Sequence, residues 1–280
     1  MRTIKTDKIT QAVAELCIKA NTALRPDVAQ ALKKAYEREE VSLARRTLGN
    51  LIENAKLARK KGLAVCQDTG MAVLFIELGQ DVNIKGNDLT RALNKGVRQG
   101  YKKGHLRGSV VADPLIRNNT GDNTPAIVHI DIVKGSKIKI YLMPKGFGCE
   151  NVSEIKMFKP TQSEDDIIDY VVRTAARVGP NACPPFFLGI GLGGTIDKAA
   201  FLAKKALLRP IDKPNNKKHI SVLEKKILTK LNKIGPGVQG FGGQHTCLGV
   251  NILTYATHIA GLPCALNINC HALRSAKCVI

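Results

Sequence analysis

The hydrophobic period of this chain switches along its length, and the switch restricts what it can fold into. From Thr6 to about Lys61, Ile9, Val13 and Leu16, then Val28, Leu32 and Ala35, then Leu48, Leu51, Ile52 and Ala55 recur at three- and four-residue intervals. That is the spacing of amphipathic helices. Beyond Gly70 the runs shorten. Met71–Leu78 is a continuous apolar run and Phe186–Leu192 a glycine-laced one, both of strand length. Ala126–Val133 and Lys137–Leu142 read as two strands joined at Lys134-Gly135-Ser136, which predicts a β-hairpin. Helical spacing returns over Asn87–Lys103 under an Asn cap, from Ser163 and Asp166 to about Val178, and from Thr195 to Leu208. Asp212–Lys218, with Pro214 and paired asparagines, reads as a linker. Ser221 with Glu224 predicts a capping box for a helix to about Lys233, and strands are expected near Leu248–Tyr255 and Ala265–Asn269.

These segments predict an α/β, mixed α+β fold: a helical N-terminal region over 1–61, then an α/β body over 62–280 with mixed β-sheet flanked by helices, together forming one domain. No internal repeat is visible. The Gly-x-Gly-x-x-Gly turn of a dinucleotide-binding Rossmann unit is missing.

Lys and Arg total 43 against 23 Asp and Glu, a formal charge of +20. Such a balance invites a nucleic-acid reading. The basic residues are mostly dispersed pairs, however, such as Lys60-Lys61, Lys102-Lys103 and Lys217-Lys218, and Trp is absent. With no stacking platform and no nucleic-acid motif spacing, the expectation is no nucleic acid; a basic surface equally suits small dianionic substrates. No run reaches the length of a spanning helix and Met1–Lys8 lacks an apolar signal core, so a cytoplasmic protein without a membrane partner is expected.

Without an export signal, the eight cysteines read as thiols or metal ligands and not as a disulfide framework. Cys17 and Cys264 sit in apolar stretches, where cysteine acts as a small hydrophobe. Cys66 opens Cys-Gln-Asp-Thr-Gly, Cys183 lies in Asn-Ala-Cys-Pro-Pro, and Cys270 lies in Asn-Ile-Asn-Cys-His-Ala. Each stands at a junction between predicted elements, where sites are commonly built. Their separations match no local metal signature, and on spacing alone three unrelated structural thiols are the simpler reading.

Five motifs in order resemble those of the iron–sulfur class I fumarases: Cys66–Gly70, Lys145–Asn151, Gly179–Pro185, Gly193-Gly194-Thr195 and Cys270-His271-Ala272. The similarity runs from about Ile9 to the C-terminus. It implies the fumarase iron–sulfur N-terminal-domain type of fold and a hydro-lyase that hydrates fumarate to (S)-malate. It also implies a [4Fe-4S] cluster ligated by Cys66, Cys183 and Cys270. Three thiolates would leave one iron open to act as a Lewis acid. By the same resemblance Asp68 and His258 have catalytic roles, His258 reaching a neighbouring copy, and Gln67, Asp68, Arg107 and Gly148 contact substrate. Read by themselves, Gln67 and Asp68 equally suit a turn cap, and Arg107 a solvated surface position.

Single-chain relatives continue past the third cysteine into a domain carrying the catalytic base, whereas this sequence ends at Ile280. The implied partner is a fumarase beta subunit in an α2β2 heterotetramer in which the alpha chains pair. The alpha subunit of L-tartrate dehydratase is a related alternative, and a non-catalytic basic metal- or nucleic-acid-binding protein is an alternative of another class.

Overall fold

The computed structural model describes residues 2–280. In chain order the elements are β1 (Arg2–Lys5), α1 (Thr6–Thr22), α2 (Pro26–Arg38), α3 (Ser42–Lys61), β2 (Met71–Gly79), β3 (Val82–Lys85) and α4 (Leu89–Lys103). There follow β4 (Ile127–Val133), β5 (Ile138–Lys145), α5 (Phe147–Glu150), β6 (Glu154–Phe158), α6 (Glu164–Val178), a 3-10 turn (Gly179–Ala182) and β7 (Phe186–Leu192). The chain closes with α7 (Ile196–Ala206), α8 (Lys218–Ile234), β8 (Cys247–Thr254), β9 (Leu262–Asn269) and β10 (Ala276–Val279), a mixed α/β architecture.

Two compact units emerge, neither of them a continuous stretch of chain. The first comprises Met1–Arg25, Asn54–Phe147 and Arg274–Ile280, and the second Pro26–Glu53 and Gly148–Leu273. The helical N-terminal region expected over 1–61 is therefore divided between them.

The first unit holds a four-stranded sheet in the order β10-β5-β2-β4 and a two-stranded parallel pair, β1 with β3. At the centre β2 pairs parallel with β4 and antiparallel with β5, and β10 lies antiparallel outside β5. Leu74, Ile76, Ile138, Ile140 and Leu142 turn one face of this sheet onto Ile9, Val13 and Cys17 of α1 and Leu93 and Val97 of α4. Full burial of each such side chain contributes roughly 1.5–3 kcal/mol.

The second unit repeats the plan. Its sheet runs β6-β9-β7-β8, with β7 parallel to β8, antiparallel to β9, and β6 antiparallel outside β9. In both units the parallel pair is joined through helix, as parallel strands require. Every residue of β7 is buried. Its glycines let α7 lie close: a Cβ at Gly189 would stand 2.2 Å from the Ala203 carbonyl and one at Gly191 2.0 Å from that of Ala199. Side chains there would force the helix away. This duplicated strand plan leaves no trace in the sequence, where no repeat was expected.

Three local expectations are corrected. β4 and β5 do not form a hairpin, because β2 is inserted between them and pairs with both. The cap of α4 is Asp88, not Asn87: its carboxylate takes the Arg91 N–H at 2.8 Å. Ser221 and Glu224 lie inside α8, which begins at Lys218. Glu224 is buried, and it accepts the Ile252 N–H at 2.7 Å and an Arg209 N–H at 2.6 Å. By contrast, the capping box at Ser163 and Asp166 is fully formed.

Candidate active site

In each unit the loop that precedes the central strand lies beside the end of its antiparallel neighbour. Met71 at the start of β2 is in register with Lys145 at the end of β5, and Phe187 near the start of β7 with Asn269 at the end of β9. The Cys66–Gly70 loop leads into β2, Cys183 leads into β7, and Cys270 directly follows β9. The strand plan thus sets all three cysteines in loops at the equivalent end of their sheets, Cys66 in the first unit, Cys183 and Cys270 in the second.

The loop in the first unit is held on every side. Gly70 has φ +71°, and a Cβ there would stand 2.7 Å from the Lys145 backbone, so glycine is required. The Asp68 carboxylate accepts the N–H of Gly70 at 3.0 Å with one oxygen and that of Phe147 at 2.9 Å with the other. Arg274 donates to the Asp68 carbonyl at 2.7 Å and to Asn21 Oδ1 at 3.0 Å. The Thr69 hydroxyl donates to the Arg107 carbonyl at 2.8 Å. Asn123 donates to the Gly70 carbonyl at 3.1 Å and accepts the Ser109 N–H at 2.8 Å. Burial pushes the Tyr101 phenol up, so its hydroxyl stays protonated and donates toward the Thr69 and Gly70 carbonyls at 2.8 and 2.9 Å. Within this frame Gln67 and Arg107 are exposed, while Cys66 and Asp68 are half-buried.

In the second unit the sequence-distant loops meet. Cys149, in α5, is 7% exposed; its sulfur accepts the Cys270 N–H at 3.1 Å and donates toward the Ala182 carbonyl at 3.7 Å. His271 Nδ1 lies 3.3 Å from the Cys183 carbonyl. Cys183 adopts the left-handed region, φ +50°, which turns the chain sharply before Pro184. Glu150 pairs with Lys204 and accepts from Asn267 at 3.0 Å, anchoring α5 against α7 and β9. Gly148 is exposed, with open space where a Cβ would go, so nothing within the chain crowds its backbone.

His258 is not part of this end. It is exposed in the β8–β9 loop, where its Nδ1 accepts the Ala260 N–H at 3.2 Å. Leu192 pairs with Thr254 at that end of the sheet, so the length of β7, about 20 Å, separates His258 from the Cys183 and Cys270 loops. The Gly193-Gly194-Thr195 motif braces the same loop through the Gly194 N–H to the Ala256 carbonyl, 3.1 Å.

Sequence reasoning assigned no role to Tyr101, Asn123, Lys145 or Arg274. Asn123 stands in a turn-rich stretch, Asn118–Pro125, and Arg274 four residues past Cys270, so both lay near legible signals. Tyr101 is an ordinary helix residue by its pattern and carried none.

Comparison with known proteins places the molecule among the hydro-lyases. The chain belongs to the fumarate hydratase (Fumerase) family, whose model matches residues 10–279. A Methanocaldococcus jannaschii protein with the provisional name L(+)-tartrate dehydratase subunit alpha is 39% identical over 275 residues, 96% of each chain. L(+)-tartrate dehydratase subunit alpha of Escherichia coli is 27% identical over 271 residues, covering 96% of this chain and 89% of its own. The Shigella boydii protein of that name matches at the same level, 27% over 271 residues.

The family is iron–sulfur-dependent, and the donors here fit such a group in kind. Burial pushes the Cys17, Cys247 and Cys264 thiols up to about 12, which keeps them protonated. Cys183 is exposed and Cys66 and Cys270 are partly so, as thiolate ligands in loops need to be. Among the described residues, no three Cys, His, Asp or Glu side chains form a metal-holding group as they stand. Nor is any helix of the described residues long and apolar enough to cross a membrane.

Proposed function

We propose that this chain is the alpha subunit of a two-subunit cytoplasmic hydro-lyase that reversibly hydrates fumarate to (S)-malate. A [4Fe-4S] cluster would be held by Cys66, Cys183 and Cys270, and a beta subunit would supply the catalytic base in an α2β2 assembly. The observation that carries this reading is the family membership over residues 10–279, joined to the meeting of the Cys183 and Cys270 loops through Cys149. When bound, the cluster supplies a Lewis acid at its one iron without a protein thiolate.

The chain's own residues bind and orient. Arg107 carries an exposed planar guanidinium suited to bidentate grip of a substrate carboxylate. Gln67 and Asp68 orient the substrate hydroxyl. Each Asp68 oxygen already holds one backbone N–H, and a carboxylate retains further lone pairs for a substrate donor. Those two bonds fix the carboxylate before substrate arrives, which avoids reorganisation during reaction. Gly148 leaves its backbone open to a ligand, and His258 serves a neighbouring copy as donor or proton shuttle.

Dehydration of L(+)-tartrate is the second reading, favoured by the names of the relatives in Methanocaldococcus jannaschii and Escherichia coli. Both substrates are four-carbon dicarboxylates, and the fold does not choose between them. Anaerobic reconstitution with the beta subunit, followed by assay on malate, fumarate and tartrate, distinguishes the readings. Turnover of tartrate alone would reject fumarate hydration, and full turnover without a beta subunit would reject the two-subunit reading. Iron and sulfide content should fall sharply in Cys66→Ser, Cys183→Ser and Cys270→Ser but not in Cys17→Ser.

A further inference from the structure

Cys149 is buried, 7% exposed, whereas Cys270 beside it is only half-buried. The Cys149 S–H points toward the Ala182 carbonyl, and the lone pair that accepts the Cys270 N–H at 3.1 Å is directed at residue 270. Such a lone pair is what a sulfur uses as a nucleophile. Since N and Cα of one residue are about 1.46 Å apart, the Cys149 sulfur lies no more than about 4.6 Å from the Cys270 Cα. A sulfur seated so close is within reach of a disulfide, whose Cα atoms stand about 4.4–6.8 Å apart.

Both backbones are already held. Glu150, next to Cys149, pairs with Lys204 and accepts from Asn267 of β9 at 3.0 Å, and Asn269, next to Cys270, is in register with Phe187 of β7. Rotation of the Cys270 side chain alone can therefore bring the two sulfurs together. The bond from Cys149 toward the Cys183 loop is longer, 3.7 Å, and ends on Ala182, one residue short of Cys183. Cys247 and Cys264, the remaining thiols of this unit, are buried within β8 and β9.

We propose that Cys149 and Cys270 form a reversible disulfide in the chain without its cluster, with a hydroperoxide oxidising Cys270 and Cys149 resolving the product. The Cys270 thiolate attacks a peroxide oxygen: an S–O bond forms, the O–O bond breaks, and the departing hydroxide is protonated to water. Cys270 is oxidised by two electrons to a sulfenic acid and the peroxide is reduced. The Cys149 sulfur then attacks the sulfenic sulfur. The S–S bond forms, the S–O bond breaks, and hydroxide leaves as water with the Cys149 proton. Exposure sets this order, because peroxide reaches the half-buried thiol and not the buried one. Held alongside, Cys149 intercepts the sulfenic acid before more peroxide converts it to the sulfinic acid, which thiols do not reverse. The disulfide itself does not depend on the hydro-lyase reading. Its consequence rests on that reading: with Cys270 as a cluster ligand, the disulfide blocks iron uptake until a dithiol reduces it by attack on the S–S bond.

Peptide mapping of the full chain tests this, after the iron-free protein is reduced and then treated with a few equivalents of hydrogen peroxide. The main product should be a peptide pair joined through Cys149 and Cys270, separated again by dithiothreitol. Cys149→Ser keeps a donor and an acceptor but removes the nucleophile. In that variant Cys270 should be trapped by dimedone and should accumulate as sulfinic acid at least about fivefold more than in the unaltered chain. A disulfide joining Cys183 to Cys270 in place of this one, no disulfide at Cys149, or equal over-oxidation of Cys270 in both proteins would each overturn the proposal. Uptake of iron and sulfide should fall at least about tenfold in the disulfide form and return after dithiothreitol. Undiminished uptake by a chain whose Cys149–Cys270 disulfide has been mapped would instead reject Cys270 as a cluster ligand and leave the disulfide standing.

Discussion

The sulfur of Cys149 accepts the backbone N–H of Cys270 at 3.1 Å while pointing its own proton toward the carbonyl of Ala182, the residue before Cys183. One buried thiol thus ties together two loops that are remote in sequence and that each carry a proposed ligand. Its geometry is that of a brace.

Cys149→Ser keeps a donor and an acceptor at this position and should retain bound iron, with activity reduced no more than a few-fold. Cys149→Ala should cost about 1 kcal/mol of stability by stranding the Cys270 N–H. Urea unfolding and iron analysis measure both. Loss of iron in Cys149→Ser as complete as in Cys270→Ser would make Cys149 a ligand instead.

Thiol chemistry should separate the cysteines before any metal is added. In protein purified without iron, Cys66, Cys183 and Cys270 should be alkylated rapidly by iodoacetamide at neutral pH. Cys17, Cys247 and Cys264, buried and pushed up to about 12, should stay unmodified until the chain unfolds. Peptide mapping reads the order of labelling. After anaerobic loading of the cluster, the first three should be protected.

Arg274 is 3% exposed and joins the Asp68 carbonyl to Asn21. Arg274→Ala removes a buried charged donor and leaves both acceptors dry, which should cost on the order of 3 kcal/mol. A smaller loss, below about 1 kcal/mol in denaturant titration, would mean that water replaces the guanidinium.

Gly70→Ala should be worse tolerated than any exposed glycine replacement. The new Cβ would meet the Lys145 backbone at 2.7 Å in a region of positive φ. Neither backbone can yield without disturbing the β2–β5 ladder. Little soluble protein, or a loss on the order of 3 kcal/mol, is expected; thermal melting beside Gly121→Ala supplies the comparison.

Glu39 gives the fold a titratable clasp. Burial raises its carboxyl, but the hydrogen bond from His245 at 2.8 Å and those from the Val41 and Gln244 N–H groups outweigh burial and hold it below the usual carboxylate range. A lowered native pKa contributes stability that is fully present above the unfolded value, about 4.3, and disappears as pH falls through the native one. Glu39→Gln should therefore destabilise the protein at pH 7, with the gap to the unaltered chain narrowing in acid. A gap constant from pH 7 to pH 3 would contradict this.

Much of the fold was legible wherever local chemistry decides structure. The bounds of β7 follow directly from its apolar run, and the start of α6 from Ser163 and Asp166. What stayed hidden is non-local. Nothing in Ala126–Leu142 announces that β2 separates β4 from β5, because the competing partner lies about fifty residues upstream. Glu224 resembled a cap because only the folded structure brings it Arg209 and the Ile252 N–H. The short strands β1, β3 and β10 carry too few residues to show a period.

The site followed the same rule. Cys66, Cys183 and Cys270 stand out because each interrupts an element boundary, whereas Arg274 and Tyr101 act through contacts that sequence spacing does not encode.

The interleaving of the two units bears on how the protein is made. Residues 274–280 supply β10 and Arg274 to the first unit, yet they are synthesised after every residue of the second. On the ribosome, the sheet behind the Cys66 loop must wait half-built while its counterpart emerges and closes. Iron delivered before that moment would meet a nascent polypeptide whose Asp68 loop still lacks its arginine strut.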